Sequence, residues 1–412
     1  MTVNKPRIYI LGGHQSDFSR NWARENLTLF DMFCDTLKQG LENTQLDASE
    51  IQVGHVGNFV GDLFCGQAQL GGFFGHVDPK LAYLPASRHE AACASGSMAI
   101  LSAMTDLESG RYDIACVMGI EMMRNVPGDT AADNLRAAAW ADKEWQDTPF
   151  VWPCAFDELM TVYHETYGLE TEHVRAISEK NYANAKYNIN AQSRKWQFSE
   201  NSFKNDDMTN QKICGAIHKL DCGQISDGAA VVFLASEDAA KQYAKDHNLS
   251  INDMPYIKGW GHINAPMLMA EKLKLSEPKG FIFPHVHQLF KQTLERAGLN
   301  GFDEVGGLEV HDCFNITEYM ILDHAGIHKP GEIWKAIEAG AFNKEGSLPV
   351  NTSGGLIGLG HPVGATGVRM LLDCYKQVSQ TAGEYQISHP NNMMTFNLGG
   401  SATTCASFIV GK

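Results

Sequence analysis

The chain has 412 residues, with 33 Lys and Arg against 48 Asp and Glu, which gives a formal net charge of −15. Hydrophobic residues make up 44% and charged residues 20%, a composition that excludes an intrinsically disordered chain. The negative charge argues against binding of nucleic acid or of an anionic membrane surface through the field of the whole molecule. The length predicts two or three domain-sized units, or one large fold built from two halves.

The ten cysteines include no CxxC pair and show no regular spacing. This pattern predicts neither a metal module nor a disulfide framework. The N-terminal segment lacks the pattern of a signal peptide, and no apolar segment is long enough to span a bilayer. We therefore expect a soluble, cytoplasmic protein in which most cysteines are small apolar core residues.

The first elements alternate between strand and helix. Residues 6–12 predict a buried strand, and 27–41 a helix with apolar residues at helical spacing. Residues 93–109 predict a buried helix of small residues, and 114–121 a central strand. This order indicates the α/β class.

Residues 122–208 contain tryptophans, asparagine runs and mixed polarity, which predict an inserted, partly helical cap. We expect residues 1–121 to form an N-terminal half to which the chain returns in 209–274. Residues 275–412 repeat the order of helices and strands and form the C-terminal half. Such a repeat of elements predicts two similar βα halves with a site between them.

Cys93 lies where a short strand gives way to a helix of small residues. A thiol at a helix N-terminus is expected to have a lowered pKa and to be a good nucleophile. The alternative is a buried core cysteine in an alanine-rich helix, which is the commoner case for a single cysteine.

His311 and Cys313 lie in the run GLEVHDCF, which we expect to be extended. Alternation along a strand would send these two side chains to one face and those of Val310, Asp312 and Phe314 to the other. A histidine beside a cysteine can do acid–base chemistry, but a core histidine beside an inert thiol explains the pattern equally well.

His361 lies in SGGLIGLGHPVGATG, where Pro362 keeps it out of helical geometry and glycines allow close backbone approach. The spacing does not match a dinucleotide-binding loop. Further on, NLGGSATT could present backbone N–H groups to an oxyanion at Gly399 and Gly400, or could be a simple bulge.

With these motifs in place, the chain resembles the thiolases, acetyl-CoA C-acyltransferases, along essentially its whole length. EAACASGS, SDGAA, HDCF, SGGLIGLGHPVGATG and NLGGSA occur in the thiolase order and at similar separations. HDCF, NLGG and KNYANAKYNINAQ are most similar to the sterol carrier protein X branch and to related archaeal and bacterial acetyl-CoA acetyltransferases. The resemblance implies a five-layered αβαβα fold with an inserted cap that helps to hold coenzyme A.

The resemblance also implies roles for individual residues. Cys93 would accept the acyl group and His361 would take the proton from its thiol. His311, with a water, would hold the thioester oxygen of the attacking acetyl-CoA. The backbone N–H groups of Cys93 and Gly399 would form a second oxyanion hole.

One position departs from the pattern of many thiolases, which carry a second catalytic cysteine in a C-terminal CxG motif. The matching residue here is Asn397, which cannot act as a base. In the branch that carries HDCF, the cysteine of HDCF acts as the second catalytic base. Cys313 is therefore expected to deprotonate the acetyl methyl group.

The implied reaction is ping-pong Claisen chemistry with acyl-CoA and CoA as substrates and with no metal or other cofactor. Arg194 and Lys195 in the cap are candidates for contacts with the CoA phosphates. The resemblance to the thiolases implies a homodimer or homotetramer, and a small partner subunit is a further expectation. The alternatives are a ketosynthase-like condensing enzyme, an acyltransferase to an unusual acceptor, or an inactive thiolase-like scaffold or lipid-binding protein.

Overall fold

The computed structural model describes residues 6–204, 207–276, 278 and 280–412. Its strands are β1 (Ile8–Gln15), β2 (Val53–Gly57), β3 (Ala86–His89), β4 (Ile114–Glu121), β5 (Lys212–Cys214), β6 (Ile217–His218), β7 (Gly228–Ala235), β8 (Tyr256–Asn264), β9 (Gly307–Val310), β10 (Asn392–Gly399) and β11 (Thr404–Gly411). Its helices are α1 (Leu29–Thr44), α2 (Gly61–Cys65), α3 (Phe74–Val77), α4 (Ser95–Glu108), α5 (Gly128–Leu135), α6 (Val151–Tyr167), α7 (Thr171–Ala185), α8 (Glu237–Asp246), α9 (Met269–Leu273), α10 (Pro284–Ala297), α11 (Asn315–His324), α12 (Trp334–Glu338) and α13 (Thr366–Ser379). A search of these ranges finds no helix with the length and apolar character needed to cross a membrane.

The large strands form a mixed sheet in the order β3-β2-β4-β7-β1-β8-β11-β10-β9. Strands β1 and β8 join only through Ile8 with Ile257 and Tyr9 with Tyr256. Strand β1 pairs with β7 over most of its length. The sheet therefore consists of two parts that meet at a short antiparallel contact, an N-terminal part that ends at β1 and a C-terminal part that begins at β8.

Two buried helices separate these two parts of the sheet. Helices α4 and α13 pack on each other and share one apolar core with strands of both parts. Helix α1 covers the outer face of the N-terminal part, and α10 covers that of the C-terminal part. The five-layered αβαβα fold expected from the resemblance is confirmed.

The segment 122–208 holds helices α5, α6 and α7. Buried residues of α6 and α7, among them Leu159, Tyr163 and Ile177, belong to the same apolar core as α10, α11 and β10. Helices α6 and α7 are therefore packed into the C-terminal half, whereas Ala131 of α5 packs with Phe59 and Val60 of the N-terminal half. The domain boundaries drawn from the sequence stay predictions.

Cys154 in α6 is bonded to Cys214 at the end of β5. The cysteine spacing gave no sign of a disulfide, so this bond corrects that expectation. The two residues are 60 positions apart and meet only because α6 packs on the β5–β6 hairpin. The other eight cysteines are free.

The pairing predicts that peptide mapping without reductant recovers a single crosslinked species, the Cys154 peptide joined to the Cys214 peptide. Replacing Cys154→Ser should lower the free energy of unfolding by up to about 4 kcal/mol, the value of the chain-entropy model for a loop of this size. Thermal unfolding with and without reductant measures this, with Cys34→Ser as the free-cysteine control. Alkylation of both residues in unreduced protein would contradict the pairing.

Candidate active site

Cys93 lies in the short turn of residues 92–94 that leads into α4, at a cavity of about 650 Å³. Ala92 has a φ of +50°, a left-handed conformation that is costly for alanine and is typical of strained functional turns. The backbone N–H groups of Gly400 and of Cys93 itself interact with the thiol. The turn therefore presents the sulfur to the cavity beside two backbone donors.

Burial decides the protonation state of Cys93. Desolvation, helped by the carboxylates of Glu121 and Glu90, outweighs the two N–H groups and raises the pKa of the Cys93 thiol to about 12. The expectation of a lowered pKa at the helix N-terminus is therefore wrong. At neutral pH Cys93 is a thiol, and it needs a base to become a nucleophile.

Two histidines stand beside this thiol. The Sγ atom of Cys93 and ring nitrogens of His311 and His361 lie within 4.8 Å of one another. The two rings are 5.1 Å apart between centroids and nearly perpendicular, at 89°. The Nε2 atoms of both histidines are buried and have no hydrogen-bond partner among the described residues. Because both Nδ1 atoms are engaged, Nε2 is the atom each histidine offers to chemistry.

The hydrogen bonds of His361 determine its tautomer. Its Nδ1 lies 2.7 Å from Thr366 Oγ1, and that hydroxyl lies 3.2 Å from the carbonyl oxygen of Pro362, which can only accept. Both contacts are hydrogen bonds only when the hydroxyl donates its one hydrogen to Pro362 and accepts from Nδ1–H of His361. Nε2 of His361 therefore carries a free lone pair and can accept the proton of Cys93.

The hydrogen bonds of His311 determine the opposite tautomer. Asn397 Nδ2 lies 3.2 Å from the carbonyl oxygen of Cys93 and 2.9 Å from Nδ1 of His311, while Ser97 Oγ donates to Asn397 Oδ1 at 2.7 Å. A carbonyl only accepts, so the atom beside it is the amide nitrogen, and its second hydrogen goes to Nδ1 of His311. His311 therefore carries its proton on Nε2, where it can donate to a developing oxyanion.

Both imidazoles are neutral. Burial, the neighbouring His361 and the guanidinium of Arg369 hold the pKa of His311 well below its usual value. Burial and Arg369 lower the pKa of His361 to about 3. Arg369 is fully buried and forms ion pairs with Glu309 and Asp373. The role of His361 requires this neutral state, because an imidazolium has no lone pair to accept a proton.

Cys93, His311 and His361 are also the residue types that bind a transition metal. Asn397 donates to Nδ1 of His311 and so places a proton on Nε2, the atom that a metal would need. The donor set therefore fits proton transfer better than a resident metal.

The HDCF segment differs in one respect from the expected strand. Strand β9 ends at Val310, because Asp312 turns away to accept the N–H groups of Leu356 at 2.6 Å and Ile357 at 3.2 Å. The expectation of an extended run through residue 314 is wrong, and so is the placement of Phe314 on the face opposite Cys313, because both line the cavity. His311 joins the cluster at Cys93, Cys313 lines the cavity, and Asp312 points to the glycine loop.

Cys313 is buried, and it shares the cavity wall with Cys93 and His361. Burial and the nearby Cys93 raise the pKa of the Cys313 thiol well above its usual value. Its Sγ lies 3.9 Å from Thr317 Oγ1. Cys313 is therefore a thiol in the resting site.

The backbone donor at the sulfur of Cys93 is one residue further along the chain than the predicted Gly399. Gly399 ends β10, and its carbonyl accepts the N–H of Thr403. The N–H group that meets the sulfur of Cys93 belongs to the next residue, Gly400, which also lines the cavity. A role for Gly399 itself stays a prediction.

The two basic residues proposed for CoA lie apart from this wall. Arg194 donates two hydrogen bonds of 2.7 Å to the carboxylate of Asp17, and Lys195 is exposed. The cavity is instead lined by Lys212 and Lys219, which sequence reasoning missed because nothing in their local pattern marks them. Its wall is otherwise largely apolar and includes Phe59, Met123, Leu135, Trp152, Phe156 and Phe314.

Two family models match the chain. The one described as the thiolase N-terminal domain covers residues 8–238, and the one described as thiolase C-terminal domain-like covers 269–412. The chain belongs to the thiolase family.

Similar thiolase-family relatives extend over the whole chain. The acetyl-CoA acetyltransferase of Methanothermobacter thermautotrophicus is 28% identical over 98% of this chain and 99% of its own. The non-specific lipid-transfer protein-like 2 of Caenorhabditis elegans is 28% identical over 97% and 95%. Sterol carrier protein 2 of Homo sapiens is 25% identical over 98% of this chain and 72% of its own.

Solved structures show the same thiolase fold. The Ltp2-ChsH2(DUF35) aldolase superposes with a TM-score of 0.77 at 20% identity, over 98% of this chain and 97% of the other. Human mitochondrial 3-ketoacyl-CoA thiolase superposes with a TM-score of 0.67 at 14% identity, over 99% of both chains.

The tautomer of His361 predicts how Cys93 reacts with a small electrophile. Replacing His361→Gln removes the lone pair that accepts the thiol proton, so alkylation of Cys93 by iodoacetamide at pH 7.5 should slow about a hundredfold. Peptide mass spectrometry follows the alkylation, with the half-buried His328→Gln as control. Equal rates in the wild type and His361→Gln would rule out His361 as the base.

The tautomer of His311 predicts a distinct effect at Asn397. Replacing Asn397→Leu removes the donor to Nδ1, so His311 no longer presents its proton at Nε2 and turnover should fall about a hundredfold. Steady-state kinetics measures the loss, with the exposed Asn391→Leu as control. Nitrogen-15 spectra of histidine-labelled protein should show opposite tautomers for His311 and His361 in the wild type, and the same tautomer for both would contradict the assignment.

Proposed function

We propose that the protein is an acyl-CoA C-acyltransferase that makes or cleaves 3-ketoacyl-CoA through an acyl-Cys93 intermediate. The observation that supports it most is the pair of opposite tautomers, an acceptor at His361 and a donor at His311, around one partly buried thiol. Carbon–carbon bond formation from thioesters needs a covalent acyl carrier, a base for its thiol and a donor for an enolate oxygen.

In the first half-reaction, His361 Nε2 takes the proton of Cys93 as the sulfur attacks the thioester carbonyl. The N–H groups of Gly400 and Cys93 stabilise the tetrahedral oxyanion. The carbon–sulfur bond to CoA then breaks, and the CoA thiolate takes the proton of Cys313. This leaves acyl-Cys93, a protonated His361 and a Cys313 thiolate, so the protons balance.

In the second half-reaction, the Cys313 thiolate takes a methyl proton from acetyl-CoA while the Nε2–H of His311 donates to the thioester oxygen. The resulting carbanion attacks the acyl carbonyl, and the Cys93 thiolate leaves and recovers its proton from His361. The product is a 3-ketoacyl-CoA, and the reverse sequence is thiolysis. None of these steps uses a resident metal or redox cofactor.

The cavity supports CoA thioesters as substrates. Its apolar wall suits an acyl chain and the pantetheine arm, and Lys212 and Lys219 are placed to meet phosphates. Arg194 and Lys195 stay candidates for the outer part of CoA, although contact through Arg194 has to compete with Asp17.

The location, the oligomeric state and the partner subunit of the protein are proposed from the family alone. We place the protein in the cytoplasm as a homodimer or homotetramer. The DUF35 component in the name of the aldolase neighbour favours a small partner subunit here as well. A ketosynthase-like reaction is disfavoured because Cys313 lines the cavity, and a decarboxylating enzyme needs no such base.

The test is peptide mass spectrometry after brief incubation with acetyl-CoA. The wild type should carry acetyl on Cys93, Cys93→Ala should carry none, and Cys313→Ala should be acetylated but should form no acetoacetyl-CoA. Cys65→Ala, which removes another partly buried free thiol, is the matched control. If neither acetyl-CoA nor a panel of longer acyl-CoAs labels Cys93, the protein is not a thiolase in activity.

A further inference from the structure

Lys272 is a fully buried cation outside the cluster of catalytic residues. It lies in α9 with none of its surface exposed. Its Nζ donates to the carbonyl oxygen of Met267 at 2.8 Å, to Ser401 Oγ at 2.7 Å and to Thr403 Oγ1 at 2.9 Å. Lysine is almost never fully buried unless it is paired, and here the ammonium group of Lys272 donates to three acceptors.

Two of the three acceptors belong to the turn that joins β10 to β11. This turn is conformationally demanding, because Gly400 and Ala402 both have a φ of +61°. Ser401 and Thr403, the partners of Lys272, flank Ala402, and Ser401 directly follows Gly400. Lys272 therefore binds the turn one residue away from the N–H group that meets Cys93.

Other contacts hold the far side of the same turn. The carbonyl oxygen of Thr403 accepts the N–H of Ala265 at 2.8 Å, and His285 Nε2 lies 2.9 Å from the carbonyl oxygen of Ala402. The hydroxyl of Ser401, the residue next to Gly400, is bound by Lys272. The Gly400 N–H shares a peptide plane with the Gly399 carbonyl, which accepts the N–H of Thr403 at 3.0 Å. By binding the hydroxyls of Ser401 and Thr403, Lys272 holds both the residue after Gly400 and the donor to that peptide.

The charge of Lys272 is maintained at neutral pH. Burial lowers the pKa of its ammonium group to about 8, and the facing groups Glu144 and Cys405 act against that effect. His285 is the other titratable group nearby, and burial lowers its pKa to about 4. At neutral pH the lysine therefore keeps the three N–H donors that its three acceptors need.

We propose that Lys272 is a positioning residue for acyl transfer, which holds Ser401 and Thr403 so that the Gly400 N–H stays directed at Cys93 and at the oxyanion that forms there. The proposal rests on the proposed function. It predicts that loss of Lys272 weakens stabilisation of negative charge at Cys93 without changing substrate binding.

The test compares Lys272→Met with Lys274→Met, a change of an exposed lysine on the same segment. In Lys272→Met the rate constant for Cys93 acylation by acetyl-CoA should fall about a hundredfold with KM unchanged. The rate constant for Cys93 alkylation by iodoacetamide at pH 7.5 should fall about tenfold, as expected when the developing thiolate loses one hydrogen-bond donor. Lys274→Met should match the wild type in both.

A purely structural lysine would change stability alone and would leave the alkylation rate at pH 7.5 in place. A folded Lys272→Met with wild-type acylation and a wild-type alkylation rate therefore overturns the proposal. If Lys272→Met does not fold, Ser401→Ala and Thr403→Val replace it. Each should slow alkylation, and a wild-type rate in both overturns the proposal. Alkylation needs no acyl-CoA, so it still tests Lys272 if the wild type proves unable to form an acyl-enzyme.

Discussion

The site depends on a direct backbone contact between the two halves of the chain. A Cβ atom on Gly96, at the start of α4, would lie 2.8 Å from the carbonyl oxygen of Gly364, and one on Gly364 would lie 2.7 Å from that of Gly57. The buried carboxylate of Glu121 accepts the N–H groups of Gly364 and Phe59 across the same junction. Because no side chain separates the two backbones, the His361 loop of one half reaches the Cys93 turn of the other.

A second constraint is the placement of protons in a buried, neutral site. Thr366 and Asn397 each bind one Nδ1 atom and thereby assign opposite tautomers to His361 and His311. Burial keeps the thiol of Cys93 protonated at rest. Proton transfer is therefore tied to substrate attack, since no charged thiolate is present beforehand.

Two buried cations support this arrangement in different ways. Arg369, between Glu309 and Asp373, helps to keep both imidazoles neutral by disfavouring further positive charge. Lys272 contacts the turn that carries Gly400. Each is fully buried, and each donates to at least one acceptor from a segment distant in sequence, Glu309 for Arg369 and Ser401 for Lys272. Polar groups buried in this way specify one geometry strongly, because leaving them unpaired is costly.

Sequence alone indicated the α/β class and the order of the elements, because hydrophobic periodicity and glycine and proline patterns are local features of the chain. The five layers and the assignment of Cys93, His311, Cys313 and His361 as catalytic candidates came from the resemblance of ordered motifs to the thiolases. The tertiary structure decided everything that depends on contacts between distant segments. It raised the pKa of Cys93, ended β9 at Val310 and joined Cys154 to Cys214. It also assigned the two tautomers and brought Lys272 to the turn that joins β10 to β11. Burial and long-range hydrogen bonds create these properties, and neither can be read from spacing along the chain.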